Sequence, residues 1–414
     1  MLKMYNIIMY LIQFGIVVGS YFNKKLRKML DGEREAIKQI REKVDPDAQY
    51  IWFHAASLGE FEQGRPLIEK VHKEHPEYKI LLTFFSPSGY EVRKNYTGAD
   101  IITYLPIDTI TNARAFLRAI RPVMAFFIKY EFWYNYLHIL QHRGVPTYSV
   151  SSIFRPNQIF FKWYGRNYGR VLQCFTHFFV QNEESQQLLA GIGFKNSTVV
   201  GDTRFDRVLQ IKEASKQLPI VDSFVHIHEE KKPLTFVAGS SWPPDEAIFI
   251  EYFNTHPSWK LIIAPHVIGE DHLKQIISLL KNKKVVRYTQ TTETDAANAD
   301  VLIIDCFGLL SSIYRYGEVA YVGGGFGVGI HNVLEAAVWS IPVIFGPNNA
   351  HFAEAQGLKH SGGGFEIHNL EDFSKYIQRF EVETNFRLER GIAGGKYVAA
   401  LAGASNKVLN NIQL

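Results

Sequence analysis

His54-Ala55-Ala56-Ser57-Leu58-Gly59-Glu60 follows the apolar run Tyr50-Ile51-Trp52-Phe53 and precedes a helical pattern. A small-residue turn between strand and helix presents a carboxylate at the end of a buried strand, where open α/β sheets place their chemistry. Working outward, short apolar runs recur between helical stretches at 80–84, 101–105, 123–128, 147–150, 178–180 and 198–200. A polar stretch over 212–232 interrupts, and the rhythm restarts at 234–238, 259–264, 284–288, 301–304, 319–322 and 342–345. Alternating β and α predicts parallel sheets. A chain of 414 residues, 46% hydrophobic, is too long for one ordinary core. The reading is α/β, with two doubly wound Rossmann-like domains over 24–208 and 233–414, a linker over 209–232, and the active site in the cleft between the domains.

Residues 4–23 carry no charge, and as a helix they would span about 30 Å, the thickness of a bilayer's hydrocarbon core. Lys24, Lys25, Arg27 and Lys28 follow rather than precede them, so residues 1–23 are expected to be a membrane-anchor helix that leaves the body cytoplasmic. A signal peptide, or a buried helix keeping Asn6 and Gln13 inside, is the alternative. A formal charge of +4 gives no general affinity for nucleic acid. Cys174 and Cys306 lie far apart without a C-x-x-C, a reducing-compartment pattern with no zinc site, and both read as core residues. Asp45-Pro46-Asp47 precedes a strand instead of following one, so it reads as a turn, and neither metal nor cofactor is expected.

Glu60 falls where a helix begins, and the helix N-terminus favours its ionised form. It is either a general base or a helix cap. His54 reads as a core histidine and Glu62 as solvent-facing. Arg204, in Gly201-Asp202-Thr203-Arg204-Phe205-Asp206, could hold a carboxylate through its planar fork, or be a surface residue at a hinge. In the second half, Tyr321-Val322 leads into Gly323-Gly324-Gly325-Phe326-Gly327-Val328-Gly329 and then His331-Asn332-Val333-Leu334-Glu335-Ala336-Ala337. A glycine loop between strand and helix can turn N–H groups toward a phosphate. Asn332 and Glu335, three apart, share a helix face from which both could meet a nucleotide. Arg155, Lys162, Arg166 and Arg170 are interleaved with aromatics, a mix suited to anionic headgroups beside a membrane.

Several of these segments resemble the bacterial 3-deoxy-D-manno-octulosonic acid (Kdo) transferases. The first matches their H-x-x-S-x-G-E signature, which implies that Glu60 is the base and that Ser57 and Gly59 line the substrate site. Lys129-Tyr130-Glu131-Phe132-Trp133-Tyr134-Asn135 resembles E-T-E-L-W-P-N, keeping Glu131, Trp133 and Asn135, with Lys129 for the first Glu and Tyr134 for Pro. Arg204 stands at a family Lys. Gly239-Ser240-Ser241-Trp242, Ala264-Pro265-His266, Asp305-Cys306-Phe307-Gly308-Leu309-Leu310 and Phe345-Gly346-Pro347-Asn348 resemble further motifs, with His266 for an Arg and Leu309 for a Glu. The resemblance implies a GT-B enzyme of the cell inner membrane's cytoplasmic side, moving Kdo from CMP-Kdo to a lipid A precursor. Glu131 and Arg204 would bind substrate; Ser240, Ser241, Pro265, His266, Gly308, Gly324, Gly325, Asn332 and Glu335 would bind CMP. Two rivals remain: a UDP-sugar transferase or epimerase of the same architecture, and a non-catalytic membrane-bound nucleotide-binding protein.

Overall fold

The computed structural model describes residues 2–165, 168–226 and 233–414. Its contacts divide the chain into two compact units, Met1–Arg207 with Ala402–Leu414, and Val208–Leu401. The first unit holds β1 (Gln49–His54), β2 (Tyr78–Phe84), β3 (Ile101–Tyr104), β4 (Met124–Ile128), β5 (Thr147–Ser152), β6 (His177–Val180) and β7 (Ser197–Val199), in the order β3-β2-β1-β4-β5-β6-β7. Every neighbouring pair is parallel. Along β4, Ala125 and Phe127 enter a cluster with Trp52 and Phe116, while Phe126 and Ile128 enter another with Phe53 and Leu67. A parallel sheet covered on both faces requires such unbroken apolar strands.

The second unit repeats the plan with β8 (Leu234–Ser241), β9 (Trp259–Pro265), β10 (Val285–Arg287), β11 (Val301–Ile303), β12 (Val319–Val322), β13 (Val343–Phe345) and β14 (Gly364–Glu366), in the order β10-β11-β9-β8-β12-β13-β14. Its pairs are parallel too. All the strands expected from the sequence occur, and β14 is an addition.

The unit boundaries differ from the expected ones. The first boundary falls inside the helix Thr203–Glu213, and residues up to Phe224 of the expected linker are largely helical and belong to the second unit; residues 227–232, like Arg166, lie outside the described residues. The last thirteen residues return to the first unit. There Ala404 and Val408 are fully buried in the cluster that holds Phe53 and Phe126. Asp206 accepts hydrogen bonds from the backbone N–H groups of Gly403 and Ser405, capping the helix Ala404–Leu409.

At the other end, α1 (Leu2–Ser20) and α2 (Lys24–Lys43) are joined at Asn23, whose side chain accepts from the Lys25 and Leu26 amides. The stretch Lys3–Ser20 has a mean hydropathy of 1.2 and is only 11% buried, so by length and composition it can cross a membrane. One edge of α1 docks on the first unit. The Tyr5 hydroxyl donates to Asp108 Oδ2 at 2.7 Å, and Asn135 Nδ2 donates to Asn6 Oδ1 at 2.9 Å. Asp108 also accepts from the backbone N–H of Asn135 and of Tyr136, and burial pushes its carboxyl up to about 7.

Asp206→Ala should leave two helix-start amides of the C-terminal segment without their acceptor. A loss of about 1–2 kcal/mol of stability of the first unit is expected, read from the urea midpoint. An unchanged midpoint would show that the cap contributes nothing.

Candidate functional site

In both sheets the strand order reverses at a central pair: β1 lies between β2 and β4, and β8 between β9 and β12. Chain leaving adjacent strands at such a reversal goes to opposite faces, which opens a crevice at their C-terminal ends.

In the first unit, the chain after β1 enters α3 (Leu58–Glu74) with Ser57 extended at its N-cap. Glu60 is half-buried and reaches back: its Oε2 accepts from the Ser57 amide at 2.9 Å and from Ser57 Oγ at 3.2 Å. Of the two sequence readings of Glu60, the structure shows the cap, and the capping contact holds the carboxylate at the strand end. Burial raises its pKa, and the negative charge of Glu131 raises it further against the opposing effects of His54, the Ser57 hydroxyl and Lys129. Gly59 is exposed at the same turn, with open space where a Cβ would be.

The register pairs His54 with Thr83 of β2 and Phe127 of β4. His54 is fully buried, and its Nδ1 lies 2.9 Å from Thr83 Oγ1, which also accepts from Trp52 Nε1 at 2.8 Å. Its Nε2 faces Glu131 Oε2 at 3.3 Å, and Trp133 Nε1 donates to that same carboxylate oxygen at 2.6 Å. His54 is a satisfied core histidine that also braces the site. Glu131 thus comes close enough to Glu60 for its charge to act there. Two residues before Glu131, Lys129 has a left-handed φ of 71°, with its N–H given to Val150 O and its C=O accepting from Ser152 Oγ. Asn135 instead serves structure, donating to Asp108 O as well as to Asn6.

One expectation in this unit changes. Glu62 is not turned to solvent: it accepts from Arg93 Nη2 at 2.7 Å and Arg207 Nε at 2.9 Å, and these charges outweigh burial to lower its pKa. Arg204 is held by Asp202, with Nε and Nη2 at 2.8 and 2.7 Å from Oδ2. A sugar carboxylate would share that guanidinium with Asp202.

In the second unit, β8 ends in a kink at Ser240, whose φ is 50°, where the register with β9 shifts. Ser241 is buried and donates to Glu246 Oε1 at 2.8 Å, a structural role. Pro265 is buried at the end of β9, and the next residue, His266, is exposed. The His266 ring stacks on Trp242 at 4.8 Å and on His331 at 4.4 Å. Burial and the neighbouring charge of His266 push His331 down to about 4, so its neutral Nε2 can accept from Trp242 Nε1 at 3.2 Å. Trp242 and His331 were visible in the quoted motifs, yet no charge or spacing marked them as partners.

The glycine loop is a narrower cradle than expected. Gly324 gives its N–H to Asp245 Oδ2 at 2.9 Å, and Gly327 and Gly329 donate back to Gly324 O. The amides of Gly325, Phe326 and Val328 have no acceptor among the described residues. A Cβ on Gly323 would lie 2.3 Å from Ser240 O, and one on Gly325 2.6 Å from Gly346 Cα, so both positions exclude side chains. The helix after the loop, Leu334–Ala337, is a single turn, too short for a substantial macrodipole. Asn332 precedes that helix rather than sharing a face of it, and its Nδ2 donates to Glu335 Oε1 at 3.1 Å, so the two side chains adjoin. Gly308 sits exposed after β11 with φ of 87°, and Cys306 is half-buried rather than core, unlike buried Cys174. Asp45 lies in a turn before β1, paired with Lys79 at 3.0 Å.

Two parallel seven-stranded sheets, each flanked by helices and reversing at a central strand, define the GT-B architecture of glycosyltransferases and sugar epimerases. A UDP-GlcNAc 2-epimerase from Neisseria meningitidis shares the fold at a TM-score of 0.60, with 14% identity over 87% of this chain and 99% of that one. Residues 31–207 match the family model described as 3-deoxy-D-manno-octulosonic-acid transferase (kdotransferase). A 3-deoxy-D-manno-octulosonic acid transferase from Aquifex aeolicus is 26% identical over 82% of this chain and 88% of its own length. A bifunctional glycosyltransferase/methyltransferase from Fusobacterium nucleatum is 27% identical over 82% of this chain, which spans only 54% of that protein.

If Glu131 raises the Glu60 pKa, Glu131→Gln should move the acid limb of kcat/KM to lower pH, since one nearby negative charge is gone. A limb that stays in place, or moves up, would separate the two carboxylates functionally.

Proposed function

We propose that this protein is an inverting glycosyltransferase that moves Kdo from CMP-Kdo to the lipid A precursor. The observation that carries the reading is the Ser57-held Glu60 beside Glu131, inside the segment that matches the Kdo transferase family model. Glu60 takes the proton of the acceptor hydroxyl as that oxygen attacks the anomeric carbon from the face opposite the phosphate. The bond from that carbon to the phosphate oxygen breaks, and its electron pair leaves on CMP. A raised pKa brings Glu60 nearer to working pH, which suits proton transfer, and Glu131 favours the positive charge that develops on the sugar.

In the second unit, the loop amides and the Asn332–Glu335 pair would hold CMP, with the Trp242, His266 and His331 stack as a flat platform beside them. Arg204 would hold the sugar acid. CMP-Kdo carries one phosphate, so no divalent ion is needed to bridge a diphosphate. α1 is the membrane anchor, at the cytoplasmic face. A UDP-sugar transferase or epimerase is the second reading, favoured by the shared fold.

The deciding experiment incubates purified full-length protein with CMP-Kdo or a UDP-sugar and the lipid precursor, and weighs the lipid product. A Kdo mass increment that persists in EDTA is expected. Glu60→Gln should lower transfer about 10² to 10⁴-fold while donor binding survives. Wild-type turnover of that variant, or transfer only from a UDP-sugar, would overturn the proposal.

Removing residues 1–22 should release the protein from membranes and also lower its thermal midpoint, because Tyr5 and Asn6 are bonded to Asp108 and Asn135. An unchanged midpoint would mean that the docking of α1 adds no stability.

A further inference from the structure

We propose that the groove between α1 and Ile159, Tyr164 and Tyr168 holds one fatty acyl chain of the acceptor lipid while its sugar headgroup lies at Glu60. This rests on the acceptor being the lipid named above. The groove has a volume of about 380 Å³, with walls formed by Met4 and Ile8 of α1, by Ile159, and by Tyr134, Tyr164 and Tyr168. Among the described residues that line it, none is charged. Tyr5, which also lines it, packs on Tyr134 at 5.1 Å and on Tyr168 at 6.5 Å. The hydroxyls of Tyr5 and Tyr168 are turned away to Asp108 Oδ2 and Phe132 O.

The position matters as much as the lining. Tyr134 directly follows Trp133, whose indole donates to Glu131 Oε2, so this wall residue and one carboxylate of the pair belong to one short segment. The resembling family motif has Pro where this chain has Tyr134, and the aromatic wall is therefore a feature of this chain.

The groove also joins an apolar surface. On α1, Met4 of the wall and its neighbours Ile7 and Leu11 are 60 to 64% exposed, and Trp163, next in sequence to the wall residue Tyr164, is 83% exposed. A surface this apolar calls for an apolar partner. Arg155, Lys162 and Arg170 are near in sequence, and at the Tyr134 wall, where burial raises the hydroxyl pKa, the positive charge of Arg170 acts in the opposite direction. An apolar trough with a cation beside it matches an acyl chain attached to a phosphorylated headgroup.

The test compares two acceptors on full-length protein in mixed micelles: the acylated lipid A precursor and its deacylated sugar phosphate. Ile8→Trp fills the groove, while Ile8→Ala widens it and serves as the control. Because each buried methylene contributes about fourfold in affinity, Ile8→Trp should raise KM for the acylated acceptor about tenfold or more. Its kcat, its CMP-Kdo KM and its KM for the deacylated acceptor should not change, and Ile8→Ala should stay within about threefold of wild type. Equal effects on both acceptors, or none on either, overturn the groove assignment. A second readout is independent of transfer: acylated precursor carrying a diazirine in one acyl chain, photolysed with the protein in nanodiscs. Label on the peptide carrying Tyr164, lost in Ile8→Trp, supports the site; label elsewhere, or equal displacement by bulk phospholipid, overturns it. Absence of transfer by the wild type with either acceptor would remove the Kdo reading alone, and the labelling would still decide the groove.

Discussion

A parallel sheet covered on both faces leaves only the strand ends for chemistry, and that constraint organises this protein. Helices must bury both sides of β1 and β4, so the chain can present polar groups only where those strands stop. His54 marks the limit: it is the last residue of β1, fully buried, and it needs Thr83 and Glu131 to satisfy its two nitrogens. Beyond it, Ser57 and Glu60 emerge into partial exposure. The carboxylate pair is tolerable there because Glu60 has the Ser57 donors and Glu131 has the Trp133 indole and the imidazole. Deeper in the sheet the same pair would cost far more.

The strand ends also store backbone strain. Lys129, Ser151 and Ser240 adopt left-handed φ values of 71°, 54° and 50°, each at or next to the C-terminal end of a parallel strand. Conformations of this kind cost of order 1–3 kcal/mol each and persist only where neighbours over-determine them. Lys129 is clamped by Val150 O and Ser152 Oγ, and Ser151 by Thr203 and by Gln181 on its carbonyl. Ser240 is fixed from below, where Gly323 lets its carbonyl approach closer than any Cβ would permit. The kinks turn Glu131 toward Glu60 and Trp242 toward His266, so the strain lies where the two crevices are shaped.

Much of this was legible because central parallel strands write a strong signal, long and apolar with small residues after them. β14 escaped because it is three residues, Gly364–Glu366, at a sheet edge and only half-buried, which leaves no apolar run to find. The return of Ala402–Leu414 to the first unit escaped for a different reason. Its anchor is Asp206, some two hundred residues away, and a carboxylate that caps a distant helix looks in sequence like any surface Asp. The glycine loop was found, but its hydrogen-bond economy was not: Gly324 spends its amide on Asp245, a pairing that only the fold brings about. Arg204 likewise could not reveal Asp202 as its holder, since proximity in sequence does not fix which way a long side chain turns.

The docking of α1 ties these threads together. A helix that only tethered the protein to a bilayer would need no polar contact with it, yet Tyr5 and Asn6 bond to Asp108 and Asn135. Asp108 fastens the start of the helix Tyr134–His142 through two backbone amides, and that helix follows directly on Glu131 and Trp133. Burial holds the Asp108 carboxyl near pKa 7, far above its unfolded value. As pH rises between those values the unfolded chain releases a proton that the folded chain keeps, so this group's contribution to stability falls across that window. Such a costly buried carboxylate is justified by what it joins. The same residue bonds the apolar helix and the segment that carries Glu131, so the position of the helix is transmitted to the site through one short, hydrogen-bonded link rather than through a flexible linker.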